Sequence, residues 1–123
     1  MSEPSVLIVD DDREVARAIG LRLSSFGLKS IVAFDGRQGL EAAKSHRPDA
    51  IVLDLQMPGI DGFTILDMMK ADIDLRDIPV IVITAKDLTS KDYKRLSGRV
   101  ESLLQKGEFM EEELFESISD VLE

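Results

Sequence analysis

A chain of 123 residues has room for one domain, and at that length about two-thirds of the unfolded surface can be buried without help from staples. It holds no cysteine, which excludes disulfides and thiolate metal sites, and its formal net charge of -9 argues against a nucleic-acid surface, because phosphate contacts need clustered Lys and Arg. Such a balance fits a cation-binding site or a basic partner. Met1 to Ser5 is short and polar, the first apolar run ends at Val9, and no apolar stretch approaches the roughly 20 residues of a membrane span. The expectation is a soluble, cytoplasmic protein with neither nucleic acid nor membrane among its partners.

Short apolar runs alternate with amphipathic stretches. Val6, Leu7, Ile8 and Val9 form the first run. Asp12 then reads as a helix N-cap, and Val15, Ile19, Leu23 and Phe26 recur at helical spacing until Gly27 ends the turn. After a second run at residues 31–34, Asp35 caps a helix carrying Leu40 and Ala43; His46 lies in its last turn as a dipole partner, and Pro48 prevents continuation. A third run, residues 50–53, precedes a helix over about residues 63–70 with Leu66 and Met69 on one side and the Met68-Met69 pair as core filler. Residues 71–79 read as an acidic irregular region. Val80 to Ile83 is the fourth run, followed by a short, weakly amphipathic helix over about residues 90–96 with Tyr93 on its surface. A weaker run at residues 100–104 leads to a last helix, with Met110, Leu114, Ile118 and Val121 at helical spacing and Glu111, Glu112 and Glu113 in its first turn. Strand then helix, five times over, predicts a doubly wound α/β fold, and continuous rather than alternating runs predict parallel strands covered on both faces.

In such a sheet ligands bind at the carboxyl ends of the strands. The first strand ends in Asp10, Asp11 and Asp12, the third in Asp54, the fourth in Thr84 and the fifth in Lys106. A hydrophobic core has no use for that set at one rim. Crowded carboxylates repel one another unless a hard divalent cation neutralises them, and magnesium takes oxygen ligands from one or two carboxylates. A central carboxylate can then act as nucleophile toward a phosphoryl group whose oxygens meet the cation, an ammonium and a hydroxyl. An aspartate-nucleophile phosphatase is a rival, since Asp10-x-Asp12 after a strand suits it, with Thr84 and Lys106 as later partners. The chain is short for such an enzyme plus cap, and no second acidic metal motif follows Lys106.

The runs Val6 to Asp12, Val52-Leu-Asp54-Leu-Gln-Met-Pro58-Gly-Ile-Asp61-Gly62, Val82-Ile-Thr84-Ala85 and Lys106 resemble, in order and spacing, the receiver domain of bacterial two-component response regulators. The likeness spans essentially residues 1–123 as one domain. It implies a flavodoxin-like five-stranded parallel sheet in the order 2-1-3-4-5, with helices on both faces. Asp54 matches the phosphoacceptor, supplied by a histidine kinase or phosphotransfer domain, while the downstream protein partner is unspecified. Asp10 and Asp11 match the magnesium-binding pair; with Asp54 and the backbone carbonyl of Gln56 they complete the implied ligand set. Thr84 and Lys106 match the phosphoryl-binding hydroxyl and ammonium. Pro58 and Gly62 match the turn after the acceptor strand, where their dihedrals are useful. Such a domain catalyses no reaction beyond its own phosphorylation and dephosphorylation.

The segment from Ala85 through Gly107 is most similar to receiver modules of hybrid sensor kinases. A degenerate receiver acting without phosphorylation is the second rival, against which the intact acidic, hydroxyl and ammonium set stands. Two positions depart from the family pattern. Gly107 follows the lysine where proline is common, and Leu103 stands where an aromatic switch residue is often found. A cis bond before a non-proline residue costs about 2.5–4 kcal/mol, so a trans Lys106-Gly107 peptide with Gly107 at positive φ is expected. Switching is expected without an aromatic flip, through Thr84 and the loop from Ala85 to Thr89.

Overall fold

The structure, a computed structural model, describes residues 3–85, 87–107 and 110–122; Met1 at the head of the amino-terminal segment and Lys86 in the loop after the fourth strand lie outside them. The elements run β1 (Ser5–Val9), α1 (Arg13–Ser25), β2 (Lys29–Ala33), α2 (Gly36–His46), β3 (Ala50–Asp54), α3 (Gly62–Ala71), β4 (Val80–Thr84), α4 (Ser90–Leu96), β5 (Ser102–Gln105) and α5 (Met110–Leu122). The strands form one parallel sheet in the order β2-β1-β3-β4-β5. The expected order is the observed one.

Continuous hydrophobicity in the strands follows from their two buried faces. Val6, Ile8, Val52, Ile81 and Ile83 pack on one side against Ile19 and Leu23 of α1 and Leu114 and Ile118 of α5. Leu7, Val9, Ile51, Leu53 and Val82 face the other way, onto Ala43 of α2, Leu66 and Met69 of α3, and Leu96 of α4. Successive strand residues point to opposite faces, so both sets must be apolar. The three Asp caps form as their spacing requires: Asp12 accepts from Glu14 and Val15, Asp35 from Gln38, and Asp61 from Thr64.

Some local expectations change. Phe26 is not a core residue; α1 ends at Ser25, Phe26 is its C-cap at 63% exposure, and its ring stands 5.3 Å from that of Phe115. Met68 is exposed while Met69 alone is core, because the two neighbours on a helix point about 100° apart. Residues 72–78 are ordered turns rather than loose chain, pinned by the fully buried Leu75 and by amide bonds from Leu75 and Arg76 to the carbonyl of Asp72.

Gly62 is needed for closeness rather than for its dihedrals. A Cβ there would lie 2.6 Å from Leu55 Cα and would also strike the carbonyl of Asp54, and its amide donates to the carbonyl of Leu55 at 3.1 Å. The positive φ in this turn belongs to Gly59, at 79°. Gly62→Ala is expected to lower folding stability by about 1–3 kcal/mol in denaturant melts, because the clash is with main chain that cannot turn aside. A smaller loss would mean that α3 slides away without cost.

Candidate functional site

Three strand ends and one loop carry the site. Asp10 follows β1 and is fully buried; its amide donates to Ala33 at 3.1 Å, and its Oδ1 accepts the amide of Asp12 at 2.9 Å. Since Asp12 caps α1, a relay of two short side chains fixes the loop that presents Asp11, which is exposed. Asp54 closes β3 at 2% exposure, and its Oδ1 accepts the amide of Gln56 at 3.1 Å. Thr84 closes β4, also 2% exposed, and its carbonyl accepts the amide of Lys106 at 2.8 Å. That bond carries the chain from β5 back over the rim.

The Lys106 ammonium lies 2.8 Å from Asp10 Oδ2 and 3.4 Å from Asp54 Oδ2. The sequence places Lys106 within salt-bridge reach of Asp54 or of a bound anion, whereas its nearer partner is Asp10. The missed signal lay in topology: β1 and β3 are neighbours, so one ammonium reaching over the rim meets both carboxylates. The Lys106-Gly107 peptide is trans, as expected, but Gly107 does not take positive φ. The amide of Met110, at the start of α5, donates to the Gly107 carbonyl at 3.3 Å. Gln56 meets the site through its main-chain amide, and its side chain is exposed.

Carboxylate oxygens of Asp10, Asp11 and Asp54 lie within 4.8 Å of one another. Burial raises the Asp54 carboxyl from 3.8 to about 6, with the Gln56 amide lowering it, Asp10 raising it and Lys106 lowering it in turn. Burial on its own would lower the Lys106 ammonium, but Asp10 and then Asp54 outweigh it, so its pKa is raised. Apart from its ion pair with Lys106, Asp10 Oδ2 is a buried acceptor with no hydrogen-bond donor among the described residues. Three carboxylates against one ammonium fit a hard divalent cation such as magnesium.

The family model described as "Response regulator receiver domain" matches residues 6–119. The chain belongs to that family. "Response regulator MprA" of Mycolicibacterium vanbaalenii is 38% identical to this receiver domain over 107 residues, covering 87% of the chain and 46% of the relative. The receiver domain thus spans about half the length of the curated relatives it matches. Among solved structures, the N-terminal domain of a response regulator receiver protein from Methanoculleus marisnigri superposes with a TM-score of 0.78 at 34% identity, over 96% of this chain and 95% of that one. The signal receiver domain of a signal transduction histidine kinase from Syntrophus aciditrophicus gives 0.85 at 28%, over 97% and 89%. Both parent types, regulator and sensor kinase, therefore occur among the matches.

The raised Asp54 carboxyl has a stability consequence. Metal-free folded receiver binds this proton more tightly than the unfolded chain does, so stability is lost as pH rises from about 4 through about 6. Asp54→Asn is expected to match wild type below that window and to exceed it by about 2–3 kcal/mol near pH 7, as read by urea melts in chelator. Equal stability at both ends would contradict the burial-driven shift.

Proposed function

We propose that this receiver domain, acting as a single unit over residues 1–123 in the cytoplasm, takes a phosphoryl group onto Asp54 from a phosphohistidine of a histidine kinase or phosphotransfer domain. The observation that carries this reading is Asp54 itself: a buried carboxylate at the end of the central strand, with Asp10, Asp11 and Lys106 converging on it. In the proposed step an Asp54 oxygen attacks phosphorus, the P–N bond breaks, and the imidazole leaves with that electron pair, giving an acyl phosphate. Asp10, Asp11, Asp54 and the Gln56 carbonyl would hold magnesium. Bound there, the ion supplies neutralising charge for the carboxylates and for the incoming oxygens.

Lys106 keeps its ammonium aimed at the acceptor and balances a second phosphoryl oxygen, and the Thr84 hydroxyl bonds a third. The same burial that raises the Asp54 carboxyl excludes bulk water from the product. Phosphorylation adds about -1.5 to -2 charges near neutral pH, which draws Thr84 and the loop that follows it. With Leu103 lacking a ring, the change passes to α4, β5 and α5 without an aromatic flip.

The output partner is proposed to be a protein. An acidic surface of net charge -9 opposes nucleic acid for this segment, and no helix among the described residues is long and apolar enough to cross a membrane.

Acetyl phosphate with magnesium is expected to add one phosphoryl group, seen by intact mass and mapped to Asp54, and lost in Asp54→Asn. Labelling on Asp10 or Asp11 instead would sink the assignment. Asp11→Asn is expected to remove the magnesium dependence and most of the labelling while leaving the circular dichroism spectrum unchanged. Undiminished labelling of wild type in excess chelator would overturn the role given to the cation.

A further inference from the structure

The helix α4 spans seven residues, buries Leu96 alone and is too short to be stable by itself. A capping box between Thr89 and Asp92 closes its amino end. Its other end is held by side chains. Arg95 donates to Asp67 Oδ2 on α3 at 3.1 Å, Arg99 beyond the helix lies 2.8 Å from Asp67 Oδ1, and Arg99 also donates to the carbonyl of Arg95 at 3.2 Å. One carboxylate thus joins two guanidinium groups, and Arg99 above all holds it below its ordinary range, with Arg95 adding to that against the opposing effect of burial.

Arg95 has a second support. Its guanidinium carbon sits 4.4 Å over the ring of Phe63, a buried residue at the start of α3. Phe63 follows Gly62, whose backbone lies against Asp54 and Leu55. The clasp is therefore anchored on main chain continuous with the acceptor, while α4 begins a few residues after Thr84. It lies between the two places where an added phosphoryl group would act.

We propose that Asp67, Arg95 and Arg99, with Arg95 seated on Phe63, form a latch that holds α4 to α3 and sets the threshold for moving the segment between Thr84 and α4. This rests on the acceptor reading of Asp54 and adds to it the restraint that phosphorylation works against. The latch favours one position of α4, so loosening it shifts the population toward the other and strengthens whatever ligand prefers that other state. Exposed ion pairs are individually weak, which suits a threshold that must remain reversible.

The test uses the whole chain with magnesium and beryllofluoride, a non-transferable phosphoryl mimic, followed by NMR. Asp67→Asn is expected to bind the mimic about two- to fivefold more tightly than wild type. Before any mimic is added, its α4 amide resonances are expected to move along the line toward their bound positions. Asp67→Glu, which keeps the charge, is expected to stay near wild type. Asp67 is half-exposed, so the substitution removes the clasp without emptying the core. Wild-type affinity and unmoved α4 resonances in Asp67→Asn would overturn the latch while leaving the acceptor reading intact. A wild-type chain that binds no beryllofluoride would instead overturn the acceptor reading, and the threshold role with it.

Discussion

Negative charge crowded into a buried space is the constraint on which the rest of the molecule turns. Asp10 and Asp54 are both removed from water, yet one ammonium serves them both. A protein gains nothing in stability from that arrangement, since a buried carboxylate is tolerated only when paired or when it takes up a proton. Every neighbouring feature either offsets the cost or exploits it. The Asp12 cap, the Gln56 amide and the Thr84 carbonyl fix the loops with hydrogen bonds of ordinary length, so the strained element is electrostatic rather than conformational. The energy stored there is available to whatever brings positive charge, or a phosphoryl group accompanied by it.

The scaffold tolerates this because it is rigid elsewhere. Parallel strands with both faces covered leave their carboxyl ends at one edge, and the apolar side chains beneath that edge are almost wholly inaccessible. The contrast with α4 follows from the same geometry. A two-turn helix that buries one leucine cannot share the core's rigidity, and a surface carboxylate shared by two arginines supplies what packing does not.

Much of this was legible in the sequence. Residues 6–9, 50–53 and 80–83 could hardly be anything but strands covered on both faces, and the polar residues after them had to meet at one rim. Capping by Asp12 and Asp35 was readable because the pattern is local. What escaped was non-local or close to chance. The Lys106–Asp10 pair and the Asp67 clasp depend on which side chains meet across neighbouring elements, and no spacing announces that. Phe26 misled because it satisfies a helical period at a position where the helix has already ended. Gly62 was noticed for its dihedrals, whereas its role is to let α3 touch the main chain of the acceptor strand.

The wide spacing of the rim residues also bears on how the chain folds. The contact between Lys106 and Asp54 closes a loop of 52 residues, and the sheet places β1 between β2 and β3 rather than at an edge. A chain that has paired only β1 with β2 holds Asp10 and Asp11 but neither the central carboxylate nor the ammonium. At the rim, the opposite-charge contact needs Lys106, which follows β5, in addition to the like charges that end β1 and β3. Completing the rim therefore carries both the entropy of closing a long loop and the repulsion of like charges. No half-formed sheet carries the complete rim, so a partner that recognises the rim also recognises a finished fold.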